Sequence, residues 1–127
     1  MLKRALLIIL FLALFLTACA QKSDVKIMLG KEYAKQELID VLNNGTKSNI
    51  LVEKVITDKE TATSVAESIL FKIYGKDKII EQRPYECYLI DDYWVLSGTL
   101  PKSWTGGTFL IIINSIDSRI IKLTHGK

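Results

Sequence analysis

The clearest periodic pattern of apolar residues lies between Thr57 and Gly75. Apolar side chains recur there every three or four residues, the spacing of one face of an α-helix; they are Ala62, Val65, Ala66, Ile69, Leu70 and Ile73. Thr57 and Glu60 have the spacing of a capping box, which satisfies free backbone N–H groups in a first turn. We therefore predict a core helix that is capped by Thr57 and ends at Gly75.

A weaker helical pattern covers residues 31–43, with apolar side chains at Tyr33, Ala34, Leu38, Val41 and Leu42. The following Asn43-Asn44-Gly45 offers a left-handed stop for this helix. Residues 50–56 are rich in apolar and β-branched side chains. They fit either a short strand or an extended segment leading into the second helix.

After Gly75 the period of the apolar positions changes from 3.6 residues to 2, which indicates β-strands. The predicted strands cover residues 85–90, 93–100, 108–113 and 119–124, with turns at 91–92 and 114–118 and a loop at 101–107. Alternation predicts a shared face for Tyr85, Cys87 and Leu89, and another for Trp94, Leu96, Gly98 and Leu100. Helices followed by an antiparallel meander predict an α+β fold in which helices cover one face of the sheet.

The N-terminal segment has a different character. Lys3 and Arg4 precede twelve uninterrupted apolar residues, which span about 18 Å as a helix and are too short to cross a membrane. A basic start, a short apolar run and small residues before a cleavage point are typical of a secretory signal peptide. Leu16-Thr17-Ala18-Cys19 resembles the bacterial lipobox, which implies cleavage before Cys19 and a lipid on its sulfur. The alternative is an ordinary signal peptide with a chance cysteine.

These patterns divide the chain into a signal peptide (1–18), a lipidated tether (19–30) and a single α+β domain (31–127). Two or three acyl chains on Cys19 would hold the protein firmly on a membrane. Ala20 stands where some lipoproteins carry an aspartate that resembles an inner-membrane retention signal. We therefore expect the periplasmic face of the outer membrane in a double-membrane bacterium, and otherwise the extracytoplasmic leaflet of the plasma membrane.

Composition changes the picture once the N-terminal segment is set apart. The chain has 127 residues, 17 basic and 14 acidic, and two of the basic residues, Lys3 and Arg4, lie within the first 18 positions. Residues 19–127 therefore carry a net charge of +1. A nearly neutral domain lacks the basic face that nucleic acid requires, so we predict no nucleic-acid partner.

The cysteine and histidine counts restrict the chemistry. With Cys19 assigned to lipid, Cys87 has no partner for an intramolecular disulfide and is predicted to be buried. His125 is the single histidine and is predicted to be an exposed tail residue. No catalytic set, metal site, phosphate-binding loop or cofactor site is predicted, because each needs residues that the chain does not supply at the required spacing.

Two short segments stand out as candidate binding residues. Trp104 lies in the loop after the second predicted strand, close to Gly106 and Gly107; it fits either a cap on the core or an exposed contact on an adaptable loop. Asp91, Asp92 and Tyr93 fit either a solvated turn or an acidic rim for a basic partner.

Short segments between Val55 and the end of the chain carry a family resemblance. They are Asp58-x-x-Thr-Ala with Val65-Ala66-Glu67, Ile73-Tyr74-Gly75-Lys76, Arg83-Pro84-Tyr85, Trp94-Val95-Leu96-x-Gly98-Thr99-Leu100, Gly106-Gly107-x-Phe109 and Thr124-His125-Gly126-Lys127. In this order they resemble the immunity proteins with a nuclear-transport-factor-2-like fold of bacterial polymorphic toxin systems. The resemblance implies a cone-shaped α+β domain, with helices packed on a curved antiparallel sheet, that neutralises a cognate toxin. Ile116-Asp117-Ser118 departs from it, because an Asp-Gly turn is expected there.

The leading functional prediction is a lipid-anchored, non-enzymatic immunity protein that occludes a toxin in the cell envelope. The predicted contacts are Asp91, Asp92, Tyr93, Trp104, Gly106 and Gly107, while Arg83 is predicted to be structural. The alternative is a ligand-binding or envelope-assembly lipoprotein that uses a pocket of the same fold; its inward residues would be Tyr74, Tyr85, Tyr88, Trp94 and Phe109. A small hydrolase or isomerase is disfavoured by the residues available.

Overall fold

The computed structural model describes residues 26–44 and 50–126. The predicted signal peptide, Cys19 and most of the tether lie outside the described residues. The chain divides into two compact units, Met1–Lys47 and Ser48–Lys127. The proposed extent of the α+β domain, 31–127, stays a prediction. Within the described residues, no helix combines the length and apolar character needed to span a membrane.

The described part of the first unit is dominated by helix α1, Gly30–Asn43, close to the helix predicted from the sequence. The helix ends at Asn44, whose N–H donates to the carbonyl of Asp40 and whose φ is −80°. The predicted left-handed stop at Asn43-Asn44-Gly45 is not tested, because Gly45 lies outside the described residues. No residue of α1 is buried. Its apolar positions, among them Leu38 and Leu42, are exposed.

The second unit begins with an extended segment that is not a strand. The N–H groups of Val55 and Ile56 both donate to the carbonyl of Ser115, at 2.9 and 3.0 Å. The side chain of Ile56 is almost completely buried, and its carbonyl accepts a hydrogen bond from Nε1 of Trp94 at 3.0 Å. These contacts hold the segment against the sheet, so of our two interpretations the extended lead-in is correct.

Helix α2, Lys59–Tyr74, follows, but its first turn differs from our prediction. Asp58, not Thr57, is the capping residue: its Oδ1 accepts from the N–H of Thr61 at 2.7 Å, and Thr57 Oγ1 donates to Asp58 Oδ2. Both residue types cap helices well, and here the residue nearer the first turn takes the position. The backbone and side-chain hydrogen bonds from Thr61 lower the pKa of Asp58.

The apolar stripe of α2 is buried along one line, at Ala62, Ala66 and Leu70. We also predicted that Ile73 is part of this stripe, but its side chain is 54% exposed, while its neighbour Tyr74 packs against the core. Gly75 ends the helix as predicted and adopts φ +93°, a conformation that favours glycine. A short helix that we did not predict, α3, covers Lys76–Ile80.

Four antiparallel strands form one sheet in the order β1-β2-β3-β4. They are β1 Glu86–Ile90, β2 Tyr93–Ser97, β3 Phe109–Asn114 and β4 Ile120–His125. Each lies within one to three residues of its predicted bounds. Asp91 forms the tight turn between β1 and β2 with φ +52°, and Ser118 adopts φ +61° in the last turn. Ser118 therefore takes the left-handed conformation for which a glycine was expected.

The core lies between α2 and the inner face of the sheet. The inward residues of the strands are Cys87, Trp94, Leu96, Phe109, Ile111 and Ile113, and Ile56 and Ile79 complete the cluster. Leu89 pairs with the inward Trp94 and so lies on the face of Cys87 as predicted, although it is 44% exposed. The prediction that Tyr88 points inward is wrong, because its side chain is 56% exposed. Cys87 is buried as predicted, and that burial raises the pKa of its thiol. Helices on a curved antiparallel sheet confirm the predicted fold class.

Candidate functional site

The outer face of the sheet carries an apolar groove beside the β1–β2 turn. We call it the hairpin patch; it is lined by Ile90, Asp91, Tyr93, Val95, Ile112 and Ile121 and has a volume of about 310 Å³. Ile90 pairs with Tyr93 and Val95 pairs with Ile112, so these side chains stand opposite the core. An irregular register at Ile112/Ile113 leaves Ile121 without a strand partner.

The exposure of the hairpin patch is unusual for an apolar surface. Ile90 is 56%, Ile121 48% and Tyr93 40% exposed. The side chains on the solvent-facing side of an antiparallel sheet are ordinarily polar. Contiguous apolar patches on a protein surface often mark interaction sites. The hairpin patch therefore has the character of a protein-binding surface.

The acidic turn borders this patch. Asp92 Oδ1 forms an ion pair with Lys54 Nζ at 3.0 Å, and the carbonyl of Asp92 accepts from the N–H of Ser115 at 2.8 Å. Asp91 is exposed and forms no ion pair within the described part of the chain. Asp92 is thus partly neutralised and holds the turn, whereas the Asp91 carboxylate is available to a basic partner.

The second candidate segment forms a separate groove at the other end of β2. We call it the loop groove; it has a volume of about 180 Å³ and is lined by Lys78, Glu81, Gln82, Leu100, Trp104, Thr105, Gly106, Gly107 and His125. Trp104 is 58% exposed, so of our two interpretations the cap on the core is wrong. The sequence-predicted residues thus fall into two groups, one around Tyr93 and one around Trp104, which line separate grooves in the described part of the chain.

Gln82 is a buried residue in the lining of the loop groove, and its role there was not predicted from the sequence. Its side chain is 3% exposed; Oε1 accepts from the N–H of Phe109 at 2.9 Å, and Nε2 donates to the carbonyl of Lys78 at 3.1 Å. Gln82 Nε2 also lies 3.0 Å from His125 Nε2. Because an amide nitrogen only donates, His125 accepts at Nε2 and donates from Nδ1 to the carbonyl of Gly126 at 2.7 Å.

His125 is therefore not the exposed tail residue that we predicted. It is the last residue of β4, is half-buried, and its ring lies 5.0 Å from the ring of Tyr74. The glycines next to it approach closely: a Cβ on Gly107 would lie 2.2 Å from the Cα of Gly126. Two glycines in contact fix the Trp104 loop to the end of β4.

A third feature, the polar cleft, lies between α2 and the segment that leads into β1. Its lining residues are Lys59, Thr63, Glu67, Arg83, Pro84 and Tyr85, and its volume is about 600 Å³. Glu67 Oε1 accepts from Arg83 Nε at 3.0 Å, from Arg83 Nη2 and from the Tyr85 hydroxyl at 2.9 Å. Arg83 is thus structural, as predicted.

The electrostatics of the polar cleft follow from these contacts. The hydrogen bonds to Glu67 raise the pKa of Arg83, and burial raises the pKa of Tyr85. The cleft was not predicted from the sequence, although Lys59, Thr63 and Glu67 recur at four-residue intervals and so form a polar line on α2.

The clefts described above open at the surface, and the space between α2 and the sheet is filled by buried side chains. Phe109, Ile111 and Leu96 are each 0% exposed. This packing weighs against the alternative of a ligand pocket in the interior. Among the described residues, no group of three or more His, Cys, Asp or Glu side chains is placed to hold a metal ion.

Comparison with known proteins adds an independent finding. Residues 61–127 match a family model described as "NTF2 fold immunity protein". The chain is 35% identical over 77 residues to the Escherichia coli K12 protein "Uncharacterized protein YhhH" and 30% identical over 77 residues to "Uncharacterized protein YbbC" of the same organism. Both matches cover 60% of this chain, and they cover 61% and 63% of the relatives, less than two thirds of their length. No solved structure matches significantly.

Proposed function

Because this chain belongs to the NTF2 fold immunity protein family, we propose that it binds one cognate bacterial toxin and neutralises it by covering the toxin's active site. The observation that carries the proposal beyond the family is the hairpin patch. Ile90, Tyr93 and Ile121 expose apolar surface on a sheet whose other face already has a complete core. Occlusion requires a preformed surface and no catalytic groups.

The hairpin patch sets the chemistry of the partner. A surface that binds it presents apolar side chains opposite Tyr93 and Ile121, and a basic group opposite the exposed carboxylate of Asp91. Specific interfaces bury about 800 Å² on each partner, and a few aromatic or charged residues dominate their energy. We propose Tyr93 and Asp91 as two such residues. Trp104, with Gly106 and Gly107, is a second contact region at the far end of β2.

We further propose that the protein is exported and anchored by a lipid on Cys19, with Leu16-Thr17-Ala18 as the recognition sequence of the signal peptidase. The support is the order of the basic, apolar and small residues before Cys19. Such an anchor places the protein on the outer side of a bacterial membrane, where it would intercept a toxin that acts in the envelope. Radiolabelled palmitate is expected to enter the wild-type protein but not Cys19→Ser.

The test of the function uses the product of the neighbouring gene as the candidate toxin. Co-expression is expected to rescue cells from that toxin, and Cys19→Ser is expected to abolish rescue only if the toxin acts outside the cytoplasm. Absence of any rescue or binding with each neighbouring gene product would contradict the immunity function.

The test of the surface uses matched variants. Tyr93→Ala and Asp91→Lys are each expected to weaken toxin binding about tenfold, the effect of losing one interface hot spot. Asp117→Lys, on the β3–β4 turn, is the control for adding the same charge elsewhere. If Tyr93→Ala leaves toxin affinity unchanged but converts a dimer into a monomer in sedimentation, the patch binds a second copy and not the toxin.

A further inference from the structure

The polar cleft plays no part in the surface proposed above, yet its side chains are held in a fixed arrangement. One oxygen of Glu67 accepts three hydrogen bonds, two from Arg83 and one from Tyr85. The Glu67 side chain is only 17% exposed, whereas that of Arg83 is 50% exposed. The carboxylate is therefore directed into the protein, and the guanidinium that it positions remains accessible.

The contacts of Arg83 leave one edge of the guanidinium free. A guanidinium carries five N–H donors in two forks, each of which fits a carboxylate. Glu67 occupies the fork formed by Nε and Nη2. Tyr85 is a further hydrogen-bonding neighbour of the guanidinium. Among the described residues, no hydrogen bond is formed by Nη1, the nitrogen of the second fork that faces away from Glu67. Arg83 also lies over the Tyr85 ring, at 5.7 Å from its centre, which restricts its orientation further.

A second cation lines the same cleft. Lys59, in the first turn of α2, forms no ion pair in the described part of the chain, and Thr63 Oγ1 donates to its backbone carbonyl at 2.8 Å. The lining thus holds two cations and one carboxylate, whose Oε1 already accepts from Arg83 and Tyr85. Pro84 and the Tyr85 ring add apolar surface, suited to the methylene groups that carry an acidic side chain.

We propose that the polar cleft binds a carboxylate side chain of a protein partner, through the free fork of Arg83 and the ammonium group of Lys59. This inference rests on the proposed function in taking that partner to be the toxin. It adds a chemical requirement that the hairpin patch does not: the toxin's docking surface carries an acidic side chain at a further point of contact.

The first experiment does not need the toxin. The ¹⁵N-labelled full chain in detergent micelles is titrated with hexaglutamate and, separately, with hexalysine, and ¹H–¹⁵N spectra are recorded. Hexaglutamate is expected to shift the amide signals of Thr63 and Tyr85 saturably, and added salt is expected to weaken this binding because the contact is between charges. Hexalysine is expected to leave these signals in place. Equal shifts with both peptides, or none with hexaglutamate, overturn the proposal.

Three variants locate the binding. Lys59→Gln is expected to weaken hexaglutamate binding about threefold, as for one partly exposed charge pair. Arg83→Lys keeps a charge beside Glu67 but loses the free fork, so it is expected to weaken binding about fivefold or more. Lys72→Gln removes the same charge from the last turn of α2 and is expected to have no effect. Equal affinities for Lys59→Gln and Lys72→Gln overturn the proposal even if Arg83→Lys fails to fold.

The toxin separates this inference from the proposed function. If the toxin binds and Lys59→Gln weakens toxin binding as it weakens hexaglutamate binding, the polar cleft is a further contact with the toxin. A toxin that binds Lys59→Gln and wild type equally overturns the cleft's role while the immunity function stands. If no toxin binds but hexaglutamate saturates the cleft, the immunity proposal fails, and the carboxylate site is retained without the toxin as its occupant.

Discussion

Replacement of Gln82 by methionine removes three side-chain hydrogen bonds at the point where α3, β3 and β4 meet. The N–H of Phe109 loses its acceptor at 2.9 Å, and the carbonyl of Lys78 and the ring of His125 lose their donor. Methionine has nearly the same length and flexibility, so the change removes polar groups without leaving a large cavity. We therefore expect the loss of stability to report on the hydrogen bonds alone.

The magnitude follows from burial. Gln82 is 3% and Phe109 0% exposed, so water does not replace the lost acceptor, and one unsatisfied buried N–H costs about 1–3 kcal/mol. The contacts with Lys78 and His125 are partly exposed and add about 0.5 kcal/mol each. The expected total is about 3 kcal/mol, a large fraction of the roughly 5–15 kcal/mol by which domains are stable.

Urea unfolding followed by the fluorescence of the buried Trp94 measures this loss. With a slope of about 1–3 kcal/mol per molar urea, the midpoint is expected to fall by at least about 1 M. Gln36→Met is the control, because Gln36 makes one exposed hydrogen bond to Asp40 at 2.8 Å on α1, and it is expected to change stability by less than about 0.5 kcal/mol. A loss for Gln82→Met as small as that of the control would refute the reasoning.

Three further predictions concern stability and reactivity. Gly107→Ala places a Cβ 2.2 Å from the Cα of Gly126 and is expected to lower the melting temperature by several degrees. Thr105→Ala, in the same loop, is the control and is expected to leave the melting temperature unchanged. Equal melting temperatures for the two variants would contradict the close contact. The lowered pKa of Asp58 contributes stability above the pKa of the unfolded chain, about 3.9. That contribution is lost as the pH falls through the folded-state pKa of Asp58. The difference in melting temperature between wild type and Asp58→Asn is therefore expected to shrink below pH 4. A difference that stays constant with pH would contradict the lowered pKa. The Cys87 thiol is buried and its pKa is raised, so maleimide is expected to label it slowly in the native protein and fast in urea. Mass spectrometry of the peptide that contains Cys87 measures both rates. Equal rates would contradict the burial.

The elements that the sequence predicted correctly are those with a regular period. Helix α2 buries Ala62, Ala66 and Leu70, one residue per turn, and β2 buries alternate residues. Periodic burial arises because an element with one face on the core repeats its apolar positions at its own pitch. Helix α3 has five residues and buries only Ile79, so it is too short to show a period.

The errors at single residues have a different origin. Tyr88 was placed inward because it is aromatic, but the alternation that buries Cys87 directs its neighbour outward. Trp104 has no period to follow, because it lies in a loop, and only tertiary contacts decide its exposure. Here the geometric period was a better guide than the type of side chain.

The binding features depend on contacts between residues far apart in the sequence. Gln82 and His125 are separated by 43 positions, and Glu67 and Arg83 by 16. No local pattern encodes such pairs, so the sequence could predict that Arg83 would have a partner but not that Glu67 would be the partner. It could likewise name the Asp91 turn and the Trp104 loop but not show that they form different grooves.

The division of the sheet into two apolar faces separates stability from binding in a way that can be measured. The core needs only the inner face, whereas Tyr93 and Ile121 on the outer face remain 40% and 48% exposed. Apolar side chains that stay exposed contribute little to folding, since the burial that stabilises a protein is missing. Tyr93→Ala is therefore expected to weaken the toxin complex while unfolding at nearly the wild-type urea concentration. Bound toxin, in turn, should raise the melting temperature of wild type by mass action and raise that of Tyr93→Ala less at the same concentration. A variant that loses stability and binding in proportion would instead place Tyr93 in the fold and remove it from the interface.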